Sequence, residues 1–321
     1  MINRKATIAA AFFVSLAAAP ASADDFPNRP VKLIQPSTAG GFSDTLSRVI
    51  ANGLSPRLGQ AVVVENRSGA MNMLANKVVS RADPDGYTML WGTIDMTMVP
   101  ALRKDAATFD SVRDLTPVAM VANIAGVYVV NPSLPVHDIG ELAAYTKANP
   151  GKVRNAHIGY GGSLHLTAKL FEMKTGTDLA HIPYRGTSEA MVAVLSGQVD
   201  MSTFSISTGA VNREKVRILA QTGPIRHPIL REVPTVAESG KPDLGIIYWF
   251  GIFVPPNTPK PIVDRLARDL KATLEEPALQ EKFFAMGAAV DYMPPDSFTP
   301  YVAGEIRKWG QLIPAMGFVP E

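Results

Sequence analysis

Residues 116–132 read TPVAMVANIAGVYVVNP, an apolar run longer than an ordinary strand that stops at an Asn-Pro step. A companion run, GIIYWFGIFVPPNTPKP, occupies residues 245–261. Outside and between the two, strand-like segments alternate with helical ones, the pattern of an α/β chain with mainly parallel sheets. Read together, the two runs are strands crossing between two domains. Domain 1 is then discontinuous, residues 24–127 plus 248–321, and residues 128–247 form an inserted domain 2. Such a chain opens and closes like a hinge around a central cleft. The alternative is one large continuous sheet.

The elements within each half follow from periodicity. VKLI (31–34) is a strand, and a helix from Ser43 sets Leu46, Val49, Ile50 and Leu54 on one face until Gly53 and Pro56 weaken it. AVVVENR (61–67) is a second strand, followed by a helix carrying Leu74, Val78 and Val79, and DGYTMLWGT (85–93) is a third. The middle block places helices near 138–148, 164–176 and 187–196, with strands in VRNAHIG, DLAHIPYRG, QVDMSTFS and VRILAQTG. After the second long run, Thr258 and Pro259 suit the N-cap and first position of a helix carrying Ile262, Leu266, Leu270 and Leu274. Two more helices, near 277–286 and 296–313, close the chain.

Residues 1–23 have the form of a signal peptide: Arg4 and Lys5, an apolar stretch, then Ala21-Ser22-Ala23. The apolar stretch falls short of the roughly 20 residues that span a bilayer, so an exported, periplasmic chain cut near Ala23 is expected. Its loss removes two positive charges, taking the formal balance from +2 to 0. No basic block remains to favour nucleic acid or an anionic membrane. The absence of cysteine rules out disulfides, thiol catalysis, Cys-zinc sites and iron–sulfur clusters. His137, His157, His165, His181 and His227 lack the spacing of a metal site, so no metal or cofactor is expected.

Candidate binding residues sit at strand-to-helix junctions, where open α/β folds take ligands. PSTAGGFSD (36–44) offers Ser37, Thr38, Ala39, Gly40, Gly41, Phe42, Ser43 and Asp44. Its glycines let backbone N–H groups converge on one small anion, and Ser43 or Asp44 can cap the next helix. Each hydrogen bond to a charged partner contributes roughly 1.5–3 kcal/mol; a tight turn chosen for packing is the plainer reading. The loop lacks the P-loop lysine and does not follow GxGxxG, which argues against a nucleotide. HIGYGGSLHLT (157–167) brings Gly161, Gly162, Ser163 and His165 to a second junction. Its G-G-S-L-H departs from a nucleophile elbow because histidine replaces the final glycine. His165 either lines the cleft or packs between domains. Arg185, in PYRG, can pair with a second carboxylate or stand exposed, and Phe204 with Ser205 ends a further strand, with core packing an equal role for Phe204. Trp91 and Trp249 read as core or hinge packing.

These segments in this order resemble the periplasmic substrate-binding proteins of tripartite tricarboxylate transporters, the Bug or TctC-like family. FPNRPVKLI, PSTAGGFSD, RLGQAVVVENRSGA, PDGYTMLWGT, VVNPSLP, GSLHL, HIPYRG, LSGQVD, REVPTVAESG, YWFGIFVPPNTP and EIRKWGQLIPAMGFVPE carry the resemblance over nearly the whole mature chain. It implies a two-domain periplasmic-binding-protein (Venus-flytrap) fold and a non-enzymatic, monomeric carrier. The carrier takes a small organic carboxylate on the Ala-Gly-Gly loop and delivers it to membrane transporter subunits. Two other classes stay open: a sensor subunit for a signalling receptor, and an exported α/β hydrolase.

The chain departs from the family pattern where ligands are chosen. IGYGGSLHL stands where relatives read AGNGSSSHL, GAMNMLA (69–75) replaces a glycine-rich loop, and Phe204 stands where an aspartate is common. Loss of that aspartate removes a partner for an ammonium group. Phe42, Met71, Leu164 and Phe204 make the expected cleft more apolar, pointing to a carboxylate with an apolar or aromatic body rather than an amino acid or citrate.

Overall fold

The computed structural model describes residues 26–69, 72–103 and 109–318. The signal segment 1–23, its cleavage point near Ala23, and Met71 lie outside these.

Strand β1 (Val31–Gln35) is central, with Val31, Leu33, Ile34 and Gln35 buried. It pairs in parallel with β2 (Val62–Asn66) on one side and β3 (Thr88–Thr93) on the other. Helices α1 (Phe42–Leu58), α2 (Met73–Val79) and α3 (Asp95–Leu102) follow the three strands in turn. The second half repeats the alternation with α4 (Ile139–Ala148), β5 (Arg154–His157), α5 (Ser163–Thr175), β6 (Ala180–Pro183), α6 (Thr187–Leu195), β7 (Met201–Ser205), α7 (Ile206–Val211) and β8 (Arg217–Gln221). The chain then returns through β9 (Ile247–Val254) to α8 (Lys260–Leu274), α9 (Pro277–Ala285), β10 (Ala289–Met293) and α10 (Pro295–Ala315).

One strand joins the halves. β4 (Thr116–Val130) runs 15 residues, pairing through Thr116–Ala125 with β9 and through Gly126–Val130 with β7. β10 adds to its first part and β8 to its second, giving the order β2-β1-β3-β9-β4-β7-β5-β6. The sheet is thus continuous along hydrogen bonds yet divided into two lobes where β4 changes partners. It is also mixed rather than mainly parallel, because a strand that crosses over and a strand that returns must run antiparallel to their neighbours. β9 pairs only within the first lobe, so the second crossing is made by the segment between β8 and β9.

Each lobe buries both faces of its sheet. Leu46, Ile50 and Leu54 of α1 pack with Leu266, Leu270 and Leu274 of α8 over β1. On the opposite face Trp249, Phe298 and Trp309 gather with Leu166 and Leu170 of α5, so a second-lobe helix shares a first-lobe core. Tyr128, Phe171 and Leu219 fill one face of the second lobe, and Val127, Val194 and Phe204 the other.

Several local expectations change. α1 continues through Pro56 and ends at Gly59, whose φ of 69° suits glycine. α2 turns Met73, Ala75, Asn76 and Val79 inward and leaves Leu74 and Val78 exposed, because seven residues give too little periodicity to phase a helix. Pro259, not Thr258, is the N-cap of α8; the Thr258 hydroxyl instead donates to the Pro255 carbonyl at 2.8 Å. α3, α7 and β10 went unforeseen. DMTMVPAL carries a proline and little amphipathic contrast, and AVDYM is short and half-exposed.

Candidate functional site

A cleft of about 660 Å³ lies between the lobes, a size usual for small-molecule sites. The first lobe lines it with the ends of β1, β3 and β9: Pro36, Ser37, Phe42, Ser43, Thr93, Asp95 and Tyr248–Phe250. The second lobe contributes Ser163, Leu164 and Thr167 of α5, Thr187, Ser188 and Met191 of α6, and Thr203–Ser205 at the end of β7. Gly126 and Thr222 form its back, at the crossing.

Three helices start at this cleft with no side-chain cap. Their N-cap residues are Gly41 for α1, Gly162 for α5 and Gly186 for α6, and each offers only backbone. The first residues after each cap, Phe42 and Ser43, Ser163 and Leu164, Thr187 and Ser188, line the cavity. The first N–H groups of a helix have no partner within it and carry the positive end of its dipole. This geometry receives an anion without a cationic side chain. Among the described lining residues no Lys, Arg or His appears.

The PSTAGGFSD loop is shaped by Asp44, which is buried and turned away from the cleft. Its carboxylate accepts from the Gly40 N–H at 2.9 Å, Arg48 Nε at 2.9 Å and Asn66 Nδ2 at 2.8 Å. Burial pushes its pKa up, but the bonds from Arg48, Asn66 and Gly40 outweigh that and hold it at about 2. Gly40 sits at φ 80°, a left-handed turn that sets up this contact. Ser43 Oγ accepts from Trp91 Nε1 at 2.9 Å, and Trp91 stacks on Phe250 at 5.5 Å, which anchors the start of α1.

The predicted residues therefore divide. Ser37, Phe42, Ser43, Ser163, Phe204 and Ser205 come together on the cleft. Thr38, Ala39, Gly40, Gly41 and Asp44 shape the loop without lining the cavity, because Asp44 faces inward and takes the Gly40 N–H. Gly161 and Gly162 form the turn before α5; a Cβ on Gly161 would stand 3.0 Å from Leu102 Cδ1. His165 is buried away from the cleft, its ring 4.3 Å from His157 and 5.0 Å from Phe318, and its Nδ1 accepts from the Gly161 N–H at 3.2 Å. Burial, then the neighbouring His157 and His181, lowers its pKa to about 3, so the ring stays neutral. Arg185 is exposed, and its own N–H donates to Glu189 at 2.8 Å.

Sequence reading missed Thr93, Asp95, Asn72, Thr167, Thr203 and Tyr248. Tyr248, on β9, lies 2.8 Å from the Thr167 hydroxyl and donates to the Ser163 carbonyl at 3.3 Å, linking the lobes at the cleft floor. Burial pushes its pKa to about 12, so it remains a neutral phenol. Asp95 accepts from Thr93 Oγ1 at 3.0 Å and Asn72 Nδ2 at 2.9 Å, and burial pushes its pKa up. Ser37 Oγ, Thr203 Oγ1 and Trp249 Nε1 are buried without a hydrogen-bond partner, and all three residues line the cleft. A buried polar group without a partner is costly unless something else satisfies it. The available signal was that TID, at 93–95, is another strand-to-helix junction. It lacks the glycines that mark the others.

Comparison with known proteins finds related sequences and structures along most of the chain. The family model described as "Tripartite tricarboxylate transporter family receptor" matches residues 46–318. Protein BugT of Bordetella pertussis is 33% identical over 308 residues, covering 94% of this chain and 93% of BugT. Among solved structures, MatC from Rhodopseudomonas palustris with bound malate is 29% identical with a TM-score of 0.75, covering 90% of this chain and 100% of that one. The R. palustris protein Rpa4515 with adipate is 30% identical with a TM-score of 0.79, covering 92% and 100%.

Proposed function

The chain belongs to the tripartite tricarboxylate transporter receptor family, and we propose that its cleft captures a small organic carboxylate for delivery to the membrane subunits of such a transporter. The single observation that carries the reading is the convergence of three uncapped helix starts on a cavity that, among the described residues, no cation lines. Relatives of similar fold hold malate and adipate, which supports a carboxylate as the anion. The carboxylate is held by main-chain N–H groups at these helix starts, and Phe42, Leu164, Met191 and Phe204 pack on an apolar or aromatic body.

Capture proceeds by hinge closure. The lobes are residues 24–127 with 248–321, and residues 128–247, turning about the point where β4 changes partners. The protein works as a monomer in the periplasm after cleavage near Ala23, and binds without transforming its ligand. Ser163 has no histidine base in reach among the described residues: His165 is turned into a histidine stack, and no histidine lines the cavity. That supports a carrier over a hydrolase.

A thermal-shift screen of the exported chain against mono- and dicarboxylates tests this. A ligand at one hundred times its Kd adds about 2.7 kcal/mol, a rise of roughly 5–10 °C at this size. Silence across all acids, with turnover of esters or amides, overturns the reading.

A further inference from the structure

Among the described residues lining the cleft Asp95 is the one carboxylate, and none of them is a Lys, Arg or His that could neutralise it. It makes no ion pair there; its hydrogen bonds come from the neutral groups Thr93 Oγ1 and Asn72 Nδ2. Both reach Oδ2, which leaves Oδ1 without a donor among the described residues. The neighbours on β9 give no compensation. Tyr248 is held as a neutral phenol by burial and by its contacts with Thr167 and Ser163. Trp249 is fully buried with Nε1 unpartnered. Desolvation raises the Asp95 pKa, against the two hydrogen bonds, so its ionised form is disfavoured until a cation lies beside it.

An unneutralised carboxylate beside a site for a second carboxylate is unfavourable for a ligand whose only charge is negative. It favours one that brings its own cation. We propose that Asp95 selects ligands carrying an ammonium group beside the carboxylate, with an amino acid of apolar or aromatic side chain as the class that fits. The helix starts of α1, α5 and α6 hold the carboxylate, Asp95 takes the ammonium, and the apolar wall takes the side chain. The inference rests on the carboxylate-binding reading. It departs from the sequence expectation at one point: the aspartate absent at position 204 is answered by another at the end of β3.

The test is isothermal titration of the exported chain with matched triplets: phenylalanine, phenyllactate and 3-phenylpropanoate; leucine, 2-hydroxy-4-methylpentanoate and 4-methylpentanoate. The amino member of at least one triplet should bind about tenfold or more tighter than its amine-free partner. Asp95→Asn keeps an oxygen for Thr93 and Asn72. It should bring the members to within about twofold of one another, with the amine-free acid binding no more weakly than before. An unchanged melting temperature shows that the variant folds, and Asp95→Ser serves if it does not. Equal or tighter binding of the hydroxy or amine-free acids, or an amino preference that survives both substitutions, overturns the inference and leaves carboxylate binding standing. If no acid of any triplet or of the wider screen binds, both readings fall.

Discussion

Thr222 and Gly126 meet where the chain passes between the lobes. The Thr222 hydroxyl accepts from the Gly126 N–H at 2.7 Å and donates to the Ile246 carbonyl at 2.8 Å. The Thr222 N–H in turn donates to the Gly126 carbonyl at 2.9 Å. One buried side chain therefore ties both crossings at the point where β4 changes sheets. Thr222→Val leaves a buried N–H and a buried carbonyl unpaired, at about 2–4 kcal/mol together. The expected fall in Tm is roughly 5–10 °C, whereas Thr222→Ser should recover most of it; calorimetry on the two variants decides.

Asp44 contributes stability that depends on pH in a defined window. Its carboxyl ionises at about 2 in the folded chain against a reference of 3.8. The contribution is fully present above pH 4 and is lost as pH falls toward 2. At neutral pH it amounts to about 2 kcal/mol. Asp44→Asn should be destabilised by that order at pH 7, and the gap to wild type should close in denaturation curves measured toward pH 2.

The histidine stack also loses stability on acidification, through groups the fold keeps neutral rather than charged. His165 has its pKa lowered to about 3 by burial, then by His157 and His181, and burial foremost lowers that of His157. Above pH 6.5 both rings are neutral folded or unfolded, so neither affects stability. As pH falls below 6.5 the unfolded chain takes up protons that the folded chain refuses, and at His165 stability drops by up to about 1.4 kcal/mol per unit. His165→Gln should flatten the loss between pH 6.5 and 5, read as the change in urea midpoint.

Thr203 separates stability from binding. Its buried hydroxyl has no partner, so Thr203→Val removes an unsatisfied group at constant shape. Folding stability should stay within about 1 kcal/mol of wild type or rise. Affinity for a ligand that bonds this hydroxyl should fall about tenfold. Paired melting and titration measurements check both halves.

The architecture was legible because the run at 116–130 was too long and apolar to be an ordinary strand, whereas the run at 245–261 read as a second crossing strand holds β9, which pairs only within the first lobe. The α8 face of Ile262, Leu266, Leu270 and Leu274 likewise followed from periodicity, and all four are buried. Less of the site could be read. Glycine-rich junctions marked Phe42, Ser43 and Ser163, since glycine reports a backbone requirement locally. Asp95 and Tyr248 carry no such mark. They matter because β3 ends beside the start of β9, a fact of pairing between residues far apart in sequence. Asp44 shows the converse: a polar residue in the right loop, spent on shaping that loop.

The most direct test of the central claim is a crystal structure of the protein with the tightest-binding acid from the screen. The account predicts a carboxylate between the lobes, its oxygens within hydrogen-bond reach of main-chain N–H groups at 42–43, 163–164 or 187–188. A carboxylate bound outside the cleft, or held there by side-chain cations with those N–H groups left unused, would contradict it.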